Sequence, residues 1–201
     1  MIIFTIVSGL LMAGCGEGYK YKRLVKNELA KGTRYDTLFL GIYLGMKDKD
    51  FYSHCWQLNK NGIIRQGSGN TTVYYKMTDL KEPVEVNFYP SFYHGKIWQV
   101  PVKFNYESWA PWNKALVSDT LEMDILGKFK EWYGDGFHQV LNKRKEVAFY
   151  KVDGNRLISI YKEGDMDVWA IFTDLLVDQE IRKMNKEPAD SIPSHQKGQL
   201  P

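Results

Sequence analysis

Residues 147–161 read VAFYKVDGNRLISIY. The pair Asp153-Gly154 separates two runs rich in β-branched and aromatic residues, and Asp-Gly favours the tight turn of a β-hairpin. The segment therefore predicts two antiparallel strands, Val147–Val152 and Arg156–Tyr161, with a turn at Asp153-Gly154-Asn155 between them. This hairpin must belong to an antiparallel sheet. The flanking segments have to supply the other strands of that sheet and the elements that pack on its apolar face.

A helix is predicted immediately upstream of the hairpin, from Asp119 to about Tyr133. Asp119, with Glu122 three residues later, resembles a capping box, and Gly134 and Gly136 end the helix. A further strand, Val168–Leu175, is predicted after the hairpin. The apolar residues of the helix recur at the spacing of one helical face: Leu121, Ile125, Phe129 and Trp132.

A similar order of elements precedes residue 107. Phe51, Cys55 and Leu58 share one face of a predicted helix, which Asn61-Gly62 ends. The β-type runs around this helix are Thr37–Leu44, which closes at Gly45-Met46, and then Thr71–Met77, Val84–Tyr89 and Lys96–Phe104.

This order predicts an α+β fold in which helices pack on an antiparallel sheet. It also allows two helix-then-strands repeats, over residues 37–106 and 107–177, an interpretation that depends on element order alone. Pro101 interrupts the alternating run 96–104 and lacks a backbone N–H, so we expect it on an edge strand or at a bulge.

The N-terminal segment is apolar and uncharged up to Cys15. Its apolar run is about a dozen residues long, which suits a signal peptide rather than the roughly 20 residues of a membrane-spanning helix. The alternative is that it forms the first strand or helix of a cytosolic core. Small residues, Ala13-Gly14, precede the cysteine, as cleavage by a signal peptidase requires.

The residues Met12-Ala13-Gly14-Cys15 resemble the lipobox of bacterial lipoproteins. The resemblance implies that residues 1–14 are removed and that Cys15 becomes a lipidated N-terminus. Two features depart from the family pattern: Met12 stands where Leu is usual, and the apolar run has no preceding Lys or Arg. Gly16, rather than Asp, follows the cysteine, and this favours the outer membrane within the cell envelope.

Residues 15–36 are predicted to be a charged tether that includes a frayed helix. Its basic residues, each able to add about 1 kcal/mol near anionic headgroups, equally suit a plain solvated tether. The basic residues of this tether are Lys20, Lys22, Arg23 and Lys26.

Residues 178–201 are predicted to be a short helix and a disordered, proline-containing tail.

A second resemblance involves Gly45-Met46 and the helix that follows. Small outer-membrane lipoproteins of the SmpA/OmlA type have Gly-Met before a short helix and then a meander, and tandem versions occur in the β-lactamase-inhibitor-protein-like fold. The resemblance implies a fold of that kind, and no functional residues are transferred from it.

Composition limits the classes of function. The net charge of +3 comes from interleaved signs, without the basic stripe of nucleic-acid-binding proteins. With Cys15 lipidated, Cys55 has no disulfide partner and is expected to be buried and inert. The glycine-rich stretch 67–70 lacks the Lys of a phosphate-binding loop, and the four histidines lack metal-ligand spacing. We therefore predict no cofactor and no metal.

Residues 106–113 contain the strongest candidate ligand site. Trp109 and Trp112 have the side chains that stack on sugar rings, and Glu107 and Asn113 have groups that bind hydroxyls, so these four residues are the candidates for a glycan site. The alternative is that both tryptophans fill the space between the two halves of the fold.

Two weaker candidates complete the set. Asp135 and His138 are candidates for an oriented base in a hydrolase, with Glu107 as a third candidate. No nucleophile is recognisable, and a helix cap with a turn explains Asp135 and His138 as well. Asp190-Ser191-Ile192 resembles the acceptor pattern for O-glycosylation in Bacteroidetes, at Ser191.

Together these patterns predict a membrane-anchored envelope lipoprotein that is not an enzyme. It is expected to bind a protein partner or to scaffold an assembly, without nucleic acid. The alternatives are a glycan-binding lipoprotein that uses Trp109 and Trp112 and, third, a hydrolase.

Overall fold

A computed structural model describes residues 15–67, 71–141 and 146–184 of the chain. The helices are α1 (Cys15–Ala30), α2 (Asp48–Lys60), α3 (Ser118–Tyr133) and α4 (Leu175–Met184). The strands are β1 (Ile64–Gln66), β2 (Val73–Met77), β3 (Val84–Phe88), β4 (Ser91–Tyr93), β5 (Lys96–Tyr106), β6 (His138–Leu141), β7 (Val147–Asp153), β8 (Arg156–Glu163) and β9 (Asp167–Asp174).

The strands form one antiparallel sheet in the order β1-β2-β3-β5-β9-β8-β7-β6, with β4 paired to β5. The α+β prediction is therefore confirmed. The sheet consists of two meanders, one that follows α2 and ends in β5 and one that follows α3 and ends in β9. The two last strands, β5 and β9, lie side by side in the middle of the sheet. The helix-then-strands order thus occurs twice, and the two sets of strands join along β5 and β9.

The main core lies on one face of the sheet. Helix α3 places Leu121, Ile125 and Phe129 against this face. Phe172 of β9 packs with Phe129, and Phe104 of β5 meets the same ring edge-on. Because β5 and β9 come from different meanders, one continuous core stabilises both halves.

Helix α1 covers part of the opposite face, so the expected charged tether is a docked helix instead. Its residues Tyr21, Leu24, Val25 and Leu29 pack against a second apolar cluster. Tyr21 meets Tyr150 of β7 edge-on at 5.2 Å between ring centroids. These apolar residues recur at helical spacing, which the run of lysines between them conceals. The cluster consists of Tyr150, Val152, Leu157 and Leu175.

Residues 37–44 do not form the expected strand. The Leu38 N–H donates to the Ile42 carbonyl and the Ile42 N–H to the Phe39 carbonyl, both at 2.9 Å. Leu40 has a positive φ of 51° at the apex of this turn, and the His54 imidazole contacts its carbonyl at 2.6 Å. The run is apolar because the turn is buried, and a continuous apolar stretch does not distinguish these cases.

Pro101, which the sequence predicts on an edge strand or at a bulge, lies in the interior strand β5, so the edge position is wrong. It pairs with Ile171 of β9 on one side. On its other side the strand pairing is interrupted between Phe88 and Ser91, and the register of β4 with β5 shifts between Ser91 and Phe92. This interruption allows a residue without a backbone N–H at position 101, as an edge position also would.

The predicted capping box of α3 is absent from the structure. Val117 occupies the N-cap without a side-chain hydrogen bond, and Asp119 pairs instead with Lys162 of β8. Tertiary contacts hold the start of the helix: the Ser118 hydroxyl donates to the Gly164 carbonyl at 2.7 Å. Gly134, with φ 79°, ends the helix as predicted.

Candidate functional site

The two tryptophans of the proposed glycan site have different surroundings. Trp112 is 83% exposed, whereas Trp109 is half-buried and packs on the main core. The Trp109 Nε1 atom is buried without a hydrogen-bond partner in the described part of the chain. Trp109 is therefore part of the core packing, whereas the Trp112 side chain is accessible to a ligand.

The polar residues predicted for the same site serve other contacts. The Glu107 carboxylate forms an ion pair with Lys76 of β2 at 2.7 Å. The Asn113 side chain accepts a hydrogen bond from the Ala115 N–H at 3.2 Å, within its own turn. The structure thus places the Glu107 carboxylate beside Lys76 of β2.

Asp135 and His138 are not joined by a hydrogen bond in the described residues. His138 begins β6 and stacks on the Tyr150 ring at 5.2 Å between centroids. Asp135 is exposed in the turn after α3. Their arrangement therefore lacks the contact that would orient a general base.

Cys55 lies half-buried on α2 beside the main core. Burial raises the pKa of its thiol to about 11, which keeps the thiol protonated and unreactive near neutral pH. Within residues 15–67, 71–141 and 146–184, His, Cys, Asp and Glu side chains are nowhere grouped in threes for a metal ion.

Charged side chains gather where β7 turns into β8. Asp153 pairs with Lys151 and, at 2.9 Å, with Arg156. Arg34 pairs with buried Asp174 at 2.8 Å. Each carboxylate in this cluster has a cation beside it, so we interpret the cluster as an anchor for the segment after α1 and not as a source of acid–base chemistry.

Three expectations concern residues outside the described ones. The signal peptide, residues 1–14, and the acceptor Ser191 in the tail both lie there. Cys15, the third, is the first residue whose backbone is described, in α1, but its side chain is outside the description. Among the residues that are described, no helix combines the length and the apolar character needed to span a membrane.

The face of the sheet opposite α3 presents a row of aligned side chains between β1 and β8. Cross-strand register places one residue of each strand directly beside the next. Helix α1 lies on this same face but against β7. We call this set the open-face row: Arg65, Tyr74, Asn87, Lys103, Trp169 and Tyr161.

Contacts within and around the open-face row hold its side chains in place. The Arg65 guanidinium lies 4.0 Å from the centroid of the Tyr74 ring. Lys103 forms an ion pair with Asp167 at 3.2 Å, and the Trp169 indole N–H donates to Glu163 at 3.0 Å. Tyr74 is itself buried, so the row combines a buried tyrosine with aromatic and charged side chains that are exposed or partly exposed.

A shallow depression of about 270 Å³ lies at the β1 end of this row. Arg65, Tyr74, Lys76 and Glu107 are among its lining residues. Glu107 therefore belongs to the open face, in a different site from the predicted one. Sequence alternation puts the row residues on the non-core side of their strands, but only the register of several distant strands aligns them.

No family model, no curated protein and no solved structure matches this chain.

Proposed function

We propose that this chain is a lipoprotein of the cell envelope, held to a membrane through a lipid on Cys15, and that it acts as a non-catalytic binding or scaffolding module. The outer membrane is the expected location, because Gly16 follows the cysteine. The observation that supports the proposal is that α1, which contains Cys15, packs on the sheet from Tyr21 onward. A lipid on Cys15 would therefore hold the domain close to the bilayer.

The surface of α1 supports this arrangement. Its apolar side faces the second cluster, and Lys20, Lys22, Arg23 and Lys26 are exposed. Basic groups within a few residues of a lipid anchor gain about 1 kcal/mol each from anionic headgroups. These exposed basic residues of α1 therefore suit contact with a membrane surface.

The open-face row is the surface that we propose for the partner. Arg, Tyr and Trp are enriched in protein interfaces, and all three occur in this row. The twofold helix-and-meander order agrees with the resemblance to tandem small lipoprotein folds, which stays an expectation.

The anchor is tested by the intact mass of the mature protein extracted from membranes, compared with the Cys15→Ala variant. Loss of residues 1–14 with an added acyl mass, both abolished in the variant, is the expected result. An unprocessed chain without lipid would refute the anchor and would return residues 1–14 to the fold.

The partner surface is tested by a photoreactive amino acid placed at Asn87, in the open-face row, and at exposed Lys130 of α3 as the control. We expect a discrete cross-linked envelope protein from Asn87 and none from Lys130. Equal cross-linking at both positions, or none at Asn87 in intact cells, would exclude this face as the partner surface.

A second candidate function, glycan binding, is favoured by one observation: the exposure of Trp112. Its test is the change in tryptophan fluorescence on titration with oligosaccharides. Trp112→Ala should abolish the change, whereas Trp56→Ala, at an exposed position on α2, should not. A response that survives Trp112→Ala would remove Trp112 from the site.

A further inference from the structure

A groove of about 430 Å³ separates β6 from α1, the helix that contains Cys15. Lys20 and Arg23 of α1 line it, three residues apart and thus on neighbouring positions of one helical face. His138 and Gln139 of β6 line the opposite side. Within the described lining residues there is no carboxylate, so the groove combines positive charge with hydrogen-bond donors.

The floor of the groove is apolar. Leu24, Val140 and Tyr150 form it, and the Tyr150 ring is held between His138, stacked at 5.2 Å, and Tyr21, edge-on at 5.2 Å. A ligand with an anionic group next to an apolar portion would satisfy both parts of this lining. A phosphate diester attached to glycerol and acyl chains has that chemistry.

The position of the groove agrees with such a ligand. Lys20 and Arg23 follow Cys15 by five and eight residues, which corresponds to about 7.5 and 12 Å along a helix axis. The polar headgroup layer of one leaflet is roughly 5–7 Å thick. Long basic side chains at these positions reach that layer when Cys15 lies at its inner boundary.

We propose that the groove between α1 and β6 binds the phosphate of an anionic phospholipid headgroup in the leaflet that holds Cys15. This inference rests on the proposed lipid anchor. The bound headgroup would add a second attachment to the acyl chains and would fix the orientation of the domain, so that the sheet is presented at a defined angle to the bilayer.

The test uses the mature protein in detergent and native mass spectrometry. The probes are dihexanoylphosphatidylglycerol, dihexanoylphosphatidylcholine and inorganic phosphate. We expect the anionic lipid to bind about tenfold or more tightly than the zwitterionic one. The Lys20→Gln/Arg23→Gln variant should lose that preference, whereas Lys49→Gln/Lys130→Gln, which removes the same charge from exposed sites on α2 and α3, should keep it.

Equal losses in both double variants, or equal binding of both lipids, would overturn the proposal. Inorganic phosphate that binds as tightly as the anionic lipid would identify free phosphate as the ligand and would also overturn it. If the groove variant misfolds, hydrogen exchange of the wild type decides: residues 20–27 and 138–141 should exchange more slowly with the anionic lipid only. The acyl mass at Cys15, measured in the same spectra, reports separately on the proposed anchor.

Discussion

At the scale of single residues, the turn at Gly154 and Asn155 joins segments that are far apart in the sequence. The Asn155 side chain accepts a hydrogen bond from the Tyr35 N–H at 2.7 Å, and its carbonyl accepts one from the Leu175 N–H at 2.7 Å. The Gly154 N–H donates to Glu28 of α1 at 3.3 Å. A turn that local sequence explains is therefore also a tertiary junction.

The first prediction concerns Gly154→Ala. Gly154 has φ 51°, and a Cβ there would lie 2.1 Å from the Thr33 carbonyl oxygen. The cost of the steric overlap with the Thr33 backbone adds to the cost of a left-handed conformation for alanine. We therefore expect a loss of about 2–4 kcal/mol in the free energy of unfolding. The control is Gly164→Ala, which has φ 66° but open space, and should lose only about 1 kcal/mol. Urea denaturation measures both, and equal losses would contradict the role of Thr33.

Glu122 is a carboxyl group that the fold does not satisfy. It is 3% exposed, and its Oε1 atom has no hydrogen-bond partner in the described part of the chain. Burial raises its pKa from the usual 4.5 to about 7, although Lys162 opposes the shift. Between pH 4.5 and about 7 the folded protein holds a proton on Glu122 that the unfolded chain has released. The stability that this proton contributes is lost as the pH rises through about 7.

The second prediction is that Glu122→Gln stabilises the protein by about 1–3 kcal/mol above pH 7.5. The difference from the wild type should disappear as the pH falls toward 4.5, because both side chains are then neutral. Thermal unfolding across this pH range measures the effect. Glu131→Gln, at an exposed position of the same helix, should show no such pH-dependent gain, and a flat difference for Glu122→Gln would contradict the buried carboxyl.

At the scale of elements, α1 differs most from the sequence prediction. Its lysines indicate a solvated tether, yet Leu24 and Leu29 pack against the second apolar cluster. Isolated helices of this length are marginal in water, and tertiary packing supplies most of their stability. The sheet therefore determines that this segment is an ordered helix.

The third prediction tests this docking. Leu24→Ser should speed amide hydrogen exchange in residues 18–30 by about tenfold or more, because it removes apolar surface from the interface with the cluster. Exchange in α3 should not change. Lys26→Ser, at an exposed position of the same helix, controls for helix propensity. Fast exchange in residues 18–30 of the wild type would show that α1 is a tether after all.

At the scale of the whole molecule, β5 and β9 make the two halves one structure. Their pairing extends from Gln99 with Thr173 to Phe104 with Val168, and the main core contains buried residues from both halves. Neither half can separate without exposing this pairing and this core to water. The repeated order of elements therefore does not imply two independent domains.

The fourth prediction is cooperative unfolding. Amides of β2 and β3 should lose protection from hydrogen exchange at the same urea concentration as those of β7 and β8. Hydrogen exchange with mass spectrometry at increasing urea measures this. A transition of β2 and β3 that clearly precedes the other would instead show that residues 37–106 and 107–177 unfold as separate units.

Sequence pattern by itself determined the elements whose signals are local. The hairpin around Gly154, the helices α2 and α3 with their terminal glycines, and the α+β class depend on periodicity and turn chemistry, which neighbouring residues settle. The lipobox resemblance at Cys15 is equally local and stays a prediction.

Only the tertiary structure decided the rest. It converted Thr37–Leu44 into a buried turn, docked α1 and placed Pro101 beside a strand interruption. It also paired Glu107 with Lys76 and aligned the open-face row. Each of these depends on which strands are neighbours and in what register, and the physical reason is that burial and cross-strand contact are properties of residues distant in sequence, which no local pattern contains.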